Sequence, residues 1–387
     1  MRIGLIAVGD TGAQVETGAL AGRTLARHQL DFALAQGCER IIALGYGASK
    51  EAVELRRAVE AAGAQFQVVR GVRDLSAAVR GDDMLTVFAH GLLPDSPLAF
   101  ERLKEGYGVL VLPAEAGWSA GFERLDLAAA WGGAMVLPGR LVAGLDELAE
   151  DAEPIAGLLR IARQAGIREL PLAESELGEG RWQIVRTPDA ARASEPAWLR
   201  RRLPPISPFR PTPWLARTLV RGFWSSCIGN RRVTAGLTAA VPLFLCAAIA
   251  AAWFDFAAVA FAALVPATFA IETGEAFRLL GRSVFRAETR VSRLSFVLRL
   301  MWDGAFVALG VLSIDGSRAH RLFTPLVAGG LLHTPPATPD TGWRALMADR
   351  GLLALLLAIA AAFGFVEGGY MILALALIGV RIAGPPD

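Results

Sequence analysis

Val233-Thr-Ala-Gly-Leu-Thr-Ala-Ala-Val-Pro-Leu-Phe-Leu-Cys-Ala-Ala-Ile-Ala-Ala-Ala-Trp253 decides how this chain is built. These 21 residues carry no charge, and a helix of that length reaches about 30 Å, the thickness of a bilayer's hydrocarbon core. The stretch just upstream has the opposite character. Between Glu195 and Asp255 there is no acid, yet Arg200, Arg201, Arg202, Arg210, Arg217, Arg221, Arg231 and Arg232 precede the apolar run. Trp198, Phe209, Trp214, Phe223 and Trp224 are interleaved with them, and Pro204, Pro205, Pro208, Pro211 and Pro213 interrupt the segment. Arginines and aromatics beside an apolar span point to an interfacial linker over residues 191–232, lying on an anionic leaflet.

Downstream, residues 233–387 read as a membrane domain. Phe256–Ile271 is a second apolar run, Ser295–Ile314 a third containing Arg299 and Asp303, and Leu322–Leu332 a weak fourth. Leu352–Val380 is long for one crossing, and Gly364, Glu367, Gly368 and Gly369 near its middle predict a hairpin of two helices with Glu367 solvated at its tip. The count is six spans, with four as the alternative. Eight arginines before the first span place the N-terminal domain in the cytoplasm of a multi-pass protein of a bacterial-type inner membrane. Arg278, Arg282, Arg286, Arg290 and Arg293 fall two spans later, on the same side.

Upstream, residues 1–190 read as a soluble α/β domain. Arg2–Val8, Glu39–Leu44, Gln65–Val69, Met84–Phe88 and Tyr107–Leu112 have the apolar character of buried strands, and Leu20–Gln36 and Glu51–Ala62 have helical spacing. Such alternation predicts a mostly parallel sheet with helices on both faces and ligands at the C-terminal strand ends. The loops there begin at Gly9, Gly45 and Ala89.

Composition agrees with this division. The 387 residues are 53% hydrophobic and 20% charged, with mean hydropathy +0.42, which excludes a disordered chain or a basic nucleic-acid tail. Cys38, Cys227 and Cys246 lie far apart, giving neither a zinc motif nor a disulfide framework. The apolar run in Met1–Asp10 is too short for a signal peptide.

Three segments of the soluble half resemble sugar-phosphate nucleotidyltransferases. Leu20–Leu44, with Gly22-Arg-Thr-Leu25 opening its helix, is similar to that family's first helix and second strand. Asp82-Asp-Met-Leu-Thr-Val-Phe-Ala-His-Gly-Leu-Leu-Pro-Asp95 resembles the strand bearing the first metal-binding Asp, and Arg181–Ala190 the closing strand bearing the second. The membrane half resembles CDP-alcohol phosphotransferases, whose signature is D-x2-D-G-x2-A-R-x8-G-x3-D-x3-D. Ala270–Arg278 is the corresponding stretch, with Gly274 and Arg278 matching. The fused order resembles the bifunctional cytidylyltransferase/CDP-alcohol phosphotransferases of polar-lipid head-group synthesis.

The resemblance implies a GT-A-type, Rossmann-like fold, and nucleotide binding at Gly9, Gly12, Arg23 and His90. It implies a phosphate or head-group site at Gly274, Arg278, Arg282 and Arg286. Its metal ligands are replaced, however. The first soluble-domain Asp falls near His90 or Gly91 and the second on Arg186, while the membrane Asp positions fall on Ala270, Thr273, Val291 and Ser295. A guanidinium in place of a carboxylate opposes Mg²⁺, so the resemblance implies a divergent, catalytically degenerate relative. Such a protein binds membrane lipids, and a nucleotide, a CDP-lipid or a partner enzyme, but no nucleic acid.

Two alternatives stay open. In one, an active nucleotidyl- or glycosyltransferase uses Mg²⁺ on rearranged ligands, with Asp82, Asp83, Asp95 and Asp303 as the catalytic candidates. In the other, the protein is a non-catalytic membrane scaffold. Asp303 has a simpler reading as an ion pair with Arg299, one turn away on the same helix face. Gly45-Tyr-Gly-Ala-Ser-Lys50 lacks the Gly-Lys-Ser/Thr ending of a phosphate loop and reads as a turn capping the next helix.

Overall fold

The computed structural model describes residues 1–8, 19–45, 47, 49–227, 231–281, 285, 293–333 and 342–382. The chain divides into two compact units. Met1–Trp198 forms the first, with Phe285 grouping with it, and the second begins at Leu199.

The first unit is built on a seven-stranded sheet. Its elements in chain order are β1 (Arg2–Ala7), α1 (Leu25–Ala35), β2 (Arg40–Leu44), α2 (Lys50–Ala61), β3 (Gln65–Val69), α3 (Val72–Ala78), β4 (Met84–Phe88), β5 (Leu92–Pro94) and α4 (Pro97–Lys104). There follow β6 (Gly108–Pro113), α5 (Ala114–Ser119), β7 (Ala129–Pro138), a 3₁₀ segment (Gly139–Glu147), α6 (Pro154–Gln164), β8 (Glu169–Pro171), α7 (Ser175–Gly178), β9 (Trp182–Ile184) and α8 (Pro188–Arg202). The sheet order is β3-β2-β1-β4-β7-β6-β8, with β5 and β9 forming a separate two-stranded sheet. β3, β2, β1 and β4 run parallel, and only β7 is antiparallel to its neighbours β4 and β6. The expected mostly parallel sheet is therefore present, in a mixed form.

Local chemistry sets the element ends. Thr24 caps α1 by accepting the Arg27 N–H, and Ala21 and Gly22 before it adopt left-handed backbone, so the helix starts later than Leu20. β7, the longest strand, is buried throughout and has no counterpart in the sequence reading. Its Ala-Ala-Trp-Gly-Gly opening lacks the branched apolar residues that mark a strand. The register of β6 on β7 shifts between Val109 and Val111, beside Gly132. A Cβ at Gly132 would stand 3.1 Å from the Leu110 carbonyl oxygen, which explains the glycine.

The second unit is helical: α9 (Pro211–Cys227), α10 (Arg231–Trp253), α11 (Ala257–Gly281), α12 (Arg293–Ser313), α13 (Arg318–His333), α14 (Gly342–Met347), α15 (Arg350–Ala362) and α16 (Val366–Ile382). Among the described residues, three helices are long and apolar enough to cross a membrane, namely Arg232–Trp253, Ala257–Gly281 and Arg293–Ser313. This corrects the count of six spans. Leu352–Val380 does break into the expected hairpin, at Gly364 with φ +70°. Its arms have 13 and 17 residues, about 20 and 26 Å long, short of a 30 Å core. α13, with 16 residues, is also short at about 24 Å.

Close packing between these helices uses small residues. A Cβ on Gly310 would stand 2.6 Å from Pro325 Cγ and 2.9 Å from Tyr370 Cζ, so this glycine lets α12 approach α13 and α16. Gly329 does the same against Val307, whereas Gly330 faces open space. Phe261, Trp302, Phe306 and Tyr370 fill the centre, where the Tyr370 hydroxyl donates to the Phe306 carbonyl at 2.6 Å. Leu243, Trp253, Phe323, Phe363 and Leu375 are outward and exposed, the inverse of a water-soluble bundle.

The linker aromatics separate into two groups. Trp198 is buried against His28 in the first unit and Trp224 is buried on Phe277 in the second, while Phe209, Trp214 and Phe223 are exposed. Two of the five expected interfacial aromatics are thus core residues.

Candidate functional site

In the first unit, β1 and β4 are neighbours in the sheet although their connections leave in opposite directions, a topological switch point where such sheets bind ligands. A cleft of about 730 Å³ opens there. Ala7, Leu44, Ala89 and His90, at the C-terminal ends of β1, β2 and β4, form its floor. Trp131 and Gly133 of β7, Arg70 and Gly71 after β3, Arg186 after β9, and residues 150–155 form its walls. Gly45 lets the floor close up, since a Cβ there would stand 2.7 Å from the Val8 carbonyl oxygen at φ +144°. The turn after it ends at Ser49, which caps α2 by accepting the Ala52 N–H at 3.1 Å. That is the expected capping turn, although Tyr46 and Ala48 lie outside the described residues.

The cleft walls carry both signs of charge. Arg186 donates to the Gly121 carbonyl at 2.8 Å and is otherwise exposed. Two acids of the wall are occupied: Glu150 pairs with Arg73 at 2.8 Å, and Glu153 caps α6 by accepting the N–H groups of Ile155 and Ala156. The Trp131 side chain is 5% exposed, and its indole N–H has no hydrogen-bond partner among the described residues. A buried donor of this kind costs about 1–3 kcal/mol unless something accepts from it. Burial holds the His90 imidazole below its ordinary pKa; the Arg186 charge adds to this and Glu51 opposes it. His90 is therefore neutral at pH 7.

The acids read as candidates for catalysis lie elsewhere. Asp82 and Asp83 precede β4, at the opposite end of the strand from His90. Asp82 is exposed, whereas Asp83 is 3% exposed and serves the fold. It accepts the Arg80 N–H at 2.9 Å and the Arg40 guanidinium at 3.4 Å, and stands 3.3 Å from the Met1 amino group. Burial alone would raise its pKa, but these partners together hold it below the usual carboxylate value. Asp95 is buried after β5 and also lines no part of the cleft. Arg23 pairs with Asp31 at 3.1 Å, away from the cleft wall. Gly9 and Gly12 lie outside the described residues. Among the described residues no three His, Cys, Asp or Glu side chains converge as metal ligands.

The second unit gathers its polar residues across α11 and α12. Ser295, Arg299 and Asp303 form a stripe at i+4 spacing on α12. Arg278 of α11 donates to Ser295 Oγ at 3.0 Å, and a Cβ at Gly274 would stand 3.4 Å from its Nη1. Arg299 bridges Glu272 at 3.3 Å and Glu275 at 2.5 Å. Asp303, 7% exposed, takes Arg350 Nε at 3.0 Å, Arg350 Nη2 at 3.1 Å and His333 Nδ1 at 3.1 Å. The expected Asp303–Arg299 pair is thus replaced: each finds partners on other helices, because α11 offers carboxylates to Arg299, while α15 offers the Arg350 guanidinium and α13 the His333 ring to Asp303.

Asp349 closes this end of the unit. It caps α15 through the Gly351 and Leu352 N–H groups and accepts the Thr212 N–H at 2.7 Å. Glu367, expected to be solvated, pairs with His320 at 2.8 Å. Arg282 and Arg286 lie outside the described residues. Neither the known protein families nor the curated proteins include a match to this chain.

Proposed function

We propose that this is a membrane-anchored two-unit protein whose α/β unit binds a nucleotide or a related phosphorylated molecule in the cleft above β1, β2 and β4. It serves polar-lipid head-group assembly as a divergent, catalytically degenerate relative of the fused cytidylyltransferase/CDP-alcohol phosphotransferases. The observation that carries this reading is the cleft itself. It has the volume of a small-molecule site, lies at the switch point of the sheet, and keeps a buried indole N–H without an acceptor among the described residues. The three apolar helices of the second unit support the membrane anchor. Arg186 and Arg70 are the wall side chains that would engage an anionic group, against four acids of the same lining, Glu123, Glu150, Asp151 and Glu153.

Metal-dependent transfer is the weaker reading on the residues present. Asp82, Asp83 and Asp95 do not meet at the cleft, and Asp303 is engaged by Arg350 and His333. The test is calorimetric titration of the full-length protein in detergent with CTP, with and without Mg²⁺. The proposal expects binding that survives chelation and is lost in Arg186→Ala. Binding that requires Mg²⁺ would favour an active transferase, and no binding by folded protein would favour a scaffold.

A further inference from the structure

A second anion site, separate from the cleft, is built into the helical unit. α9 has three faces. Ala216, Val220 and Trp224 are buried, with Trp224 stacked on Phe277 of α11 at 5.6 Å. Trp214, Leu215, Leu219 and Phe223 are exposed. Arg217 and Arg221, with Arg210 immediately before the first residue of the helix, are spaced i, i+7 and i+11 and form the third stripe. α9 packs against α11, where Arg210 and Arg217 both interact electrostatically with Glu272, Arg217 also with Glu275, and Arg221 stands beside Arg217. Arg299 of α12 completes the cluster through its bridge to the same two glutamates.

The cluster has more donors and more positive charge than its own acceptors satisfy. Glu272 has Arg299, Arg210, Glu275 and Asp349 around it, and Arg217 has Arg210 and Arg221 beside it, so four guanidinium groups stand with three carboxylates and one positive charge is in surplus. Arg217 and Arg221 each use a terminal nitrogen on the carbonyls of Pro204 and Leu203. The Nε–H groups of Arg210, Arg221 and Arg299 are buried without a hydrogen-bond partner among the described residues. Planar guanidinium forks arranged this way suit the oxygens of a phosphate group. The apolar row of α9 beside them is the amphipathic pattern of a helix seated at a lipid surface.

We infer that Arg210, Arg217, Arg221 and Arg299 form a metal-independent site for a phosphate group, delivered by an anionic lipid head group or by a free phosphorylated molecule. This goes beyond the cleft reading and stands whether or not the cleft binds CTP.

The full-length protein in dodecylmaltoside micelles with EDTA is titrated with short-chain phosphatidylglycerol, short-chain phosphatidylcholine and inorganic phosphate. Saturable binding of phosphatidylglycerol and none of phosphatidylcholine is expected. Arg210→Gln and Arg217→Gln should each weaken it roughly ten-fold, the scale of one lost charge-assisted hydrogen bond. Arg318→Gln, which removes an exposed charge at the start of α13, should leave it unchanged. The Arg210 Nε–H has no hydrogen-bond partner among the described residues, so its variant loses no bond there and should fold. Glu272→Gln adds an opposite readout, because removing a competing carboxylate should tighten binding several-fold. Arginine-dependent binding of phosphatidylglycerol alone identifies a lipid head group as the source, and binding of inorganic phosphate as well identifies the bare anion. Equal binding of phosphatidylcholine, indifference to Arg210→Gln and Arg217→Gln, or no saturable binding would overturn the site.

Discussion

Replacing Asp303 by Asn tests whether the polar end of the helical unit is a tight structural joint. Asp303 is 7% exposed and accepts three charge-assisted hydrogen bonds, two from Arg350 and one from His333. The Arg350 side chain is 20% exposed, so losing the carboxylate strands a largely buried guanidinium. Removing one partner of a buried pair costs about 3–5 kcal/mol. Partial exposure of Arg350, and the Trp302 ring 5.9 Å from it, place this case near the lower bound, about 3 kcal/mol. His333 is half exposed, and His333→Asn should cost less than about 1 kcal/mol. The assay is reversible unfolding of the detergent-solubilised protein in increasing SDS, followed by tryptophan fluorescence. The variant Asp303→Leu with Arg350→Met removes both charges and should recover at least half of the loss of Asp303→Leu alone. If Asp303→Asn unfolds with the wild type, or the two substitutions add without coupling, the triad is a solvated surface pair and the reasoning fails.

Three further predictions concern other parts of the molecule. Asp83→Asn should destabilise the protein by about 2–3 kcal/mol at pH 7, since it removes the negative charge that faces the Arg40 guanidinium and the Met1 amino group and puts an amide in its place. Because the folded-state pKa of Asp83 is depressed, its contribution is complete above about pH 4, the ordinary Asp value, and disappears as pH falls through the folded value; thermal unfolding against pH should show this decline in wild type and not in the variant. His90 also has a depressed folded pKa, so stability should fall as pH drops below about 6.5, and His90→Gln should remove that portion of the slope. Gly310→Ala places a methyl group 2.6 Å from Pro325 Cγ and should cost about 1–3 kcal/mol by overpacking, whereas Gly330→Ala, which meets nothing, should be near neutral in the same SDS assay.

Much of the architecture was legible because it depends on composition and period. The uncharged run at 233–253, the strands β1 to β4, and the break at Gly364 follow from hydropathy and glycine placement alone. The cleft position followed from the rule that parallel sheets bind ligands at C-terminal strand ends. The same rule excludes Asp82 and Asp83, which stand before β4, and points to His90, which stands after it. Trp131 was missed with the whole of β7, whose paired glycines hide a buried strand. Ion pairs across long separations, such as Asp303 with Arg350, are set by which helices pack together and leave no local pattern. The spacing of Arg210, Arg217 and Arg221 on one face was readable, but Glu272 and Glu275 as their counterpart became visible only once α9 was placed against α11.

Photo-crosslinking with azido-CTP tests the central claim most directly, by locating the ligand on the protein. The full-length protein in detergent is labelled with EDTA present, digested, and mapped by mass spectrometry. The account predicts label on peptides containing His90, Trp131 or Arg186, the residues that line the cleft, and protection by excess CTP. Unprotected label, or protected label confined to peptides remote from these residues, would contradict it.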